Sequence, residues 1–84
     1  MPAVMVTGYK RSLNVIAFVK LIQRLTGETL APAKDRVDSL LEGKPFELTF
    51  TDETVADEFF HAAAEIGAIV NKREGHVEDM QLGG

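Results

Sequence analysis

Two amphipathic helical patterns follow each other in residues 15–41, with only a Thr-Gly stop at Thr26 and Gly27 between them. In each pattern the apolar residues recur at the spacing of one buried helical stripe. Gly27 is predicted to end the first helix because a residue without Cβ readily adopts the left-handed C′ conformation. So short a connection predicts two helices lying side by side. The two stripes are Val15, Phe18, Val19, Ile22 and Leu25, and then Leu30, Ala33, Val37, Leu40 and Leu41.

The starts and stops of these two helices are also predicted. Ser12 is a good N-cap for the first helix. Pro32 indicates the first turn of the second helix, since its missing N–H has no helical partner to lose there. Gly43 is predicted to close that helix.

Segments on either side of the helical pair alternate as β-strands do. The first contains Val4 and Val6 and ends in a predicted turn at residues 8–11. The second, residues 45–50, alternates most cleanly and is the strongest strand prediction. Its inward face is predicted to carry Phe46, Leu48 and Phe50.

A third helix and a third strand complete the pattern. Thr51 is predicted to cap the helix, whose first turn carries Asp52 and Glu53 against the positive end of the helix dipole. Gly67 is predicted to stop it, and a strand follows over residues 68–72. The apolar face of this helix is Val55, Ala56, Phe59, Ala62, Ala63 and Ile66.

This order predicts an α+β fold, β-α-α-β-α-β, with a three-stranded antiparallel sheet covered on one face by helices. In the last strand, Ala68 and Val70 are predicted to face inward and Ile69 outward. The single domain is predicted to span residues 1–73. Residues 74–84 are acidic and without periodicity, which predicts a mobile tail.

Composition excludes several functional classes. Eighty-four residues suffice for one small domain. The absence of cysteine excludes disulfides and thiolate chemistry, and it removes the usual ligands of structural zinc. No segment approaches the ~20 apolar residues that a membrane span requires. A soluble cytoplasmic protein without a cofactor is therefore expected.

The net charge of −4 is unevenly distributed. Residues 1–44 hold seven basic and four acidic side chains, whereas residues 45–84 hold two basic and nine acidic ones. Such a division allows the basic half to steer an acidic partner toward one face. The alternative is that both sets are ordinary solvated charge.

The helical pair resembles, without a gap, the signature N-x-V-A-V-I-K-A-V-R, Ala-Thr-Gly, L-K-E-A-K-D-L-V-E-S. That signature belongs to the C-terminal domain of the bacterial large-subunit ribosomal stalk protein, the "seven/twelve" protein, which has a ClpS-like fold. Residues 51–56 and 66–70 resemble the same family's third helix start and closing Ala-Gly-Ala-x-Val. The matching or similar positions in the pair are Asn14, Ala17, Val19, Lys20, Ile22, Thr26, Gly27, Leu30, Ala33, Lys34, Asp35, Val37 and Ser39.

The resemblance implies a non-enzymatic protein-binding module whose helical hairpin docks an acidic partner, such as a translational GTPase. Lys20 and Lys34 would pair with acidic groups, and Ile16 and Ala17 would supply an apolar contact above Val19. Arg24 stands where the family has a small residue and would add charge. The partner-binding prediction is therefore Ile16, Ala17, Lys20, Arg24 and Lys34.

Two departures from the family pattern change what is expected. Val15, Gln23 and Ala31 occupy positions that are basic in the family, which weakens electrostatic steering. The family's N-terminal dimerisation helices and hinge have no counterpart here, so we expect a free-standing relative of the factor-binding domain.

Alternative functions remain open at the level of sequence. A Clp-protease adaptor of the ClpS type shares the element order, but the turn at residues 7–11 lacks the carboxylate needed to receive an ammonium group. The Gly83-Gly84 end is similar to that of ubiquitin-like and sulfur carrier proteins. Exposed apolar groups such as Ile16 and Ile69 would permit self-association.

Two further constellations have simple structural explanations. Asp57, His61 and Glu65 lie at i±4 spacing, which suits a divalent metal but is more typical of a plain helix surface. The segment 9–11 could hold an anion or a nucleic-acid phosphate, although a pI near 5.0 makes nucleic acid the weaker prediction. No catalytic constellation is present in the sequence.

Overall fold

The computed structural model of the chain describes residues 1–73. Its elements follow the predicted order and confirm the α+β fold. The tail predicted for residues 74–84 lies outside the described residues. The elements are β1 Ala3–Tyr9, α1 Val15–Thr26, α2 Leu30–Leu41, β2 Phe46–Thr49, α3 Glu53–Ile66 and β3 Ala68–Arg73.

The sheet has the order β2-β1-β3, and both pairings are antiparallel. Val6 at its centre lies opposite Phe46 on one side and Val70 on the other, and all three pack in or against the core. Glu47 and Asn71, which lie opposite Met5, are exposed on the other face. The inward faces predicted for the three strands are therefore confirmed, except that Ala3, on the same face as Met5, is also buried. The helices cover one face of the sheet.

Aromatic side chains join the helices to the sheet. The ring of Phe18 in α1 has its centroid 6.3 Å from that of Phe46 in β2 and 6.1 Å from that of Phe59 in α3. Phe50, just after β2, lies 5.6 Å from Phe59. Phe18 and Phe59 are fully buried. Because these rings come from three separate parts of the chain, the cluster sets how α1 and α3 lie over the sheet.

The two predicted N-caps, Ser12 and Thr51, are wrong. The backbone N–H of Ala17 donates to Asn14 Oδ1 at 3.1 Å, which makes Asn14 the cap of α1. Asp52 caps α3 in the same way, since its Oδ1 accepts from the N–H of Thr54 at 2.8 Å.

The late start of α1 has a tertiary cause. The turn predicted at residues 8–11 begins later, since β1 continues to Tyr9. After β1, the backbone N–H of Lys10 donates to the carbonyl of Gly67 at 2.7 Å. The backbone N–H of Asn14 donates to the carbonyl of Ile66 at 3.1 Å. These bonds hold residues 10–14 against the end of α3, so the helix begins only at Val15.

The helix ends were better predicted than the helix starts. Gly27 and Gly67 follow α1 and α3 with φ values of 77° and 118°, in the left-handed region. Pro32 is the third residue of α2, within the predicted first turn. No helix within residues 1–73 is long and apolar enough to cross a bilayer.

Three residues of the predicted apolar stripes of α1 and α2 are exposed. Val15, Leu30 and Leu41 are 36%, 58% and 38% exposed. Val15 and Leu30 are the first residues of their helices and Leu41 is a last residue. At these ends the neighbouring elements no longer cover the stripe, so the spacing alone overstated their burial.

Candidate functional site

A groove of about 320 Å³ runs between α1 and α2 on the outside of the helical layer. Side chains from both helices line it, apolar ones and charged ones together. Three of the five predicted partner-binding residues are among them. The groove is lined by Val15, Ile16, Val19, Lys20 and Gln23 of α1 and by Leu30, Lys34 and Asp38 of α2.

The apolar part of the groove is unusually accessible. Ile16 is 69% exposed and Leu30 is 58% exposed, one on each helix. Val19 is 7% exposed and forms the base beneath them, as predicted for it. Contiguous exposed apolar groups rimmed by polar residues are typical of protein-binding surfaces. We define the α1/α2 groove by the eight lining residues given above.

Two lysines supply the positive charge of the α1/α2 groove. Lys34 Nζ lies 3.2 Å from Asp38 Oδ2, one helical turn further along α2, and both side chains are about half exposed. Such an exposed i,i+4 pair contributes only about 0.3–0.5 kcal/mol, so Lys34 can exchange its partner at little cost. Lys20 on the opposite wall forms no ion pair with the residues that the structure describes. It is therefore the groove's more available cation.

The two remaining predicted residues, Ala17 and Arg24, lie on the other side of α1. They line a second depression, between α1 and α3, together with Ala62 and Glu65. Arg24 Nη1 is 2.9 Å from Glu58 Oε2 of α3. Lys20 borders both depressions. The structure thus divides the predicted set instead of bringing all five residues together.

Leu30 was missed by sequence reasoning because its apolar character assigned it to the buried stripe. The spacing nevertheless contains the signal. Leu30, Lys34 and Asp38 lie at i, i+4 and i+8, so Leu30 shares a helix face with charged residues. On α1 the same reasoning places Ile16 on one face with Lys20. Leu30 also lies at i, i+3 and i+7 with Ala33 and Val37 of the core stripe, so the spacing is compatible with either face, and the structure shows Leu30 to be exposed.

A bidentate ion pair holds the two walls of the groove in place. Arg36 of α2 donates hydrogen bonds to both carboxylate oxygens of Glu28, which lies in the turn between α1 and α2. These hydrogen bonds lower the pKa of the Glu28 carboxyl below its ordinary value, against a smaller opposing effect of burial. The Arg36 Cζ atom also lies 5.9 Å from the centroid of the Phe46 ring. The turn is therefore fastened to α2 and, through Arg36, to the sheet.

The other constellations considered in the sequence have structural partners. Asp57 forms an ion pair with Lys72 of β3. No three histidine or acidic side chains within residues 1–73 lie in a group that could hold a metal ion. At the end of β1, the backbone N–H of Lys10 donates to the carbonyl of Gly67 and the Tyr9 hydroxyl donates to the carbonyl of Leu41 at 3.2 Å. These contacts account for both regions as parts of the fold.

Neither a scan against models of known protein families nor a search of curated proteins returns a match to this chain. The resemblance to the stalk domain therefore depends on the residue pattern given for it.

Proposed function

We propose that this protein is a non-enzymatic binding module that docks an acidic protein partner on the α1/α2 groove. The observation that carries the proposal is the exposure of Ile16 and Leu30 on opposite walls of one groove, with a lysine on each wall. The resemblance to the stalk domain supports the same surface. It also implies a cytoplasmic protein and a translational GTPase as the partner.

The two kinds of groove residue would contribute in different ways. Full burial of an isoleucine or leucine side chain contributes roughly 1.5–3 kcal/mol, so the exposed parts of Ile16 and Leu30 offer most of the available binding energy. Lys20 and Lys34 would act mainly on the rate of encounter with an acidic surface and on partner choice. An acidic surface carrying one or two apolar side chains is the partner that fits both.

A crosslinking experiment tests where partners bind. A photo-crosslinking amino acid replaces Ile16 in one variant and Ile69 in the other; Ile69 is 44% exposed and belongs to β3, not to the groove. We expect protein adducts, identified by mass spectrometry, from position 16 and few or none from position 69. Equal yields at both positions, or none at position 16, would contradict the proposed surface.

A titration with a purified translational GTPase tests the specific partner. We expect the Lys20→Glu/Lys34→Glu double variant to bind at least about tenfold more weakly than the wild type, equivalent to ~1.4 kcal/mol. Lys44→Glu is the control, since Lys44 is well exposed beside Glu42 and does not line the groove. If the GTPase does not bind the wild type, while position 16 still crosslinks another protein, the partner and not the surface is wrong.

A further inference from the structure

We propose that residues 74–84 of the same chain occupy the α1/α2 groove when no partner is bound, and that a partner must displace them. This inference rests on the proposed function, because it takes the groove to be a binding surface. The new element is that residues 74–84 would compete with the partner for the groove. The composition of the segment, the place where the described chain ends and the length of the segment all support it.

The composition of residues 74–84 complements the groove. The segment carries three acidic side chains and no lysine or arginine, whereas the groove presents two lysines, Lys20 and Lys34, and one carboxylate, that of Asp38. It also carries apolar side chains that could contact Ile16 and Leu30. The acidic residues are Glu74, Glu78 and Asp79, and the apolar ones are Val77, Met80 and Leu82. Opposite charge and matching apolar character therefore occur in one short segment.

The described chain ends at the same end of the domain as the turn between α1 and α2. Arg73 lies opposite Ala3 of β1, and Ala3 lies opposite Thr49 of β2. The last turn of α1, at Leu25 and Thr26, lines a depression together with Thr49. Arg73 therefore lies at the end of the domain where α1 ends and α2 begins.

The segment is also long enough. Its eleven residues can span at most about 36 Å when extended. Crossing a three-stranded sheet requires about 10 Å, because neighbouring strands lie about 4.8 Å apart. A helix of twelve residues, the length of α1 and α2, is about 18 Å long. The groove lies outside the helical layer, so the path must also rise by the diameter of a helix, ~10 Å. The segment can therefore pass from the β3 edge to the Leu30 end of the groove and follow part of its length.

Attachment to the same chain makes a weak contact sufficient. A short flexible connection gives an effective concentration in the millimolar range. A segment with millimolar intrinsic affinity would then occupy the groove for about half of the time, and partner affinity would fall in proportion to the occupied fraction. The acidic segment would favour partners that carry more acidic or more apolar groups than it does.

The test uses the full chain and its backbone amide NMR signals. The Glu78→Lys/Asp79→Lys variant is expected to shift the signals of Ile16, Lys20 and Leu30 relative to the wild type. Gln81→Ser, within the same segment, is the control and should leave these signals in place. Adding Lys20→Glu/Lys34→Glu to the first variant should restore wild-type-like contact, because both charge sets are then reversed.

Three results would overturn the inference. Unchanged groove signals mean that the segment does not occupy the groove. Shifts confined to the open face of the sheet, around Ile69, place it elsewhere. Shifts that grow with protein concentration assign the contact to a second copy of the chain.

A binding measurement separates this inference from the proposed function. If both hold, Glu78→Lys/Asp79→Lys should bind a partner captured through position 16 about twofold more tightly, since the competitor is removed. Partner binding without groove shifts overturns only the inference about residues 74–84. Groove shifts without any partner at position 16 overturn the proposed function and leave the contact of residues 74–84 intact.

Discussion

Arg36 of α2 donates hydrogen bonds to both carboxylate oxygens of Glu28, with Nε 3.0 Å from Oε1 and Nη2 2.6 Å from Oε2. The two residues are eight positions apart, so the pair closes the turn between α1 and α2 onto the second helix. Both side chains are a third exposed or less. Bidentate, charge-assisted hydrogen bonds of this kind fix orientation as well as adding stability. The relative position of the groove walls therefore depends on this pair.

Replacing Glu28 should destabilise the domain in a pH-dependent way. Arg36 lowers the pKa of Glu28 in the folded state, so the stabilisation is complete above the ordinary glutamate pKa of about 4.3 and is lost as the pH falls through the lower folded-state value. At pH 7 we expect Glu28→Gln to lower the free energy of unfolding by about 1 kcal/mol. Urea denaturation at pH 7 and near pH 3 measures both effects.

Glu65→Gln is the matched control for this prediction. Glu65 is exposed on α3 and forms no ion pair within the described residues. Its replacement should change the free energy of unfolding by less than about 0.5 kcal/mol. If Glu28→Gln lowers the free energy of unfolding as much at low pH as at pH 7, the ion pair is not the cause of the loss.

The two candidate caps of α1 can be separated by alanine substitution. Asn14→Ala should cost about 1 kcal/mol of unfolding free energy, because the N–H of Ala17 then loses its side-chain acceptor. Ser12→Ala should cost less than about 0.5 kcal/mol, since Ser12 is exposed and lies before the helix. Thermal or urea unfolding of both variants decides the matter. A larger loss for Ser12→Ala than for Asn14→Ala would indicate that Ser12 is the N-cap of α1.

Gly43 and Gly67 both have a positive φ, 93° and 118°, but should differ in their tolerance of alanine. A Cβ at Gly67 would lie 2.8 Å from Leu13 Cα, whereas a Cβ at Gly43 would have no atom within 4 Å. Gly43→Ala should therefore lower the free energy of unfolding by only about 1 kcal/mol, the strain of an alanine in the left-handed backbone region. Gly67→Ala should cost at least about 2 kcal/mol, because the backbone before α1 must also move. Equal losses in urea denaturation would contradict the close approach of residues 13 and 67.

The division of the predicted site also makes a prediction about binding. Lys20→Glu should weaken partner binding several-fold, because Lys20 lines the α1/α2 groove. Arg24→Glu should have a smaller effect, since Arg24 lies on the α3 side and is paired with Glu58. Titration of both variants with the captured partner measures the difference. A larger loss for Arg24→Glu would move the contact surface to the α1/α3 side.

The candidate site was only partly predictable from sequence. Ile16, Lys20 and Lys34 were predicted together, and in the structure all three line one groove; their role in binding stays a prediction. Arg24 was grouped with them because it carries charge on the same helix, but its contact with α3 depends on how two distant helices pack. Leu30 was assigned to the core because apolar spacing does not report where a neighbouring element ends.

Local sequence patterns were enough to predict the order of the elements, the inward faces of the strands and the glycine stops of α1 and α3. These follow from the periods of apolar residues and from the steric freedom of glycine, which act within a few residues of the chain. Packing in the folded chain sets where α1 begins, which ends of the helices are left uncovered, and how the charges divide between two sides of α1. Those features depend on hydrogen bonds and packing between residues far apart in sequence, such as Asn14 with Ile66 and Arg24 with Glu58.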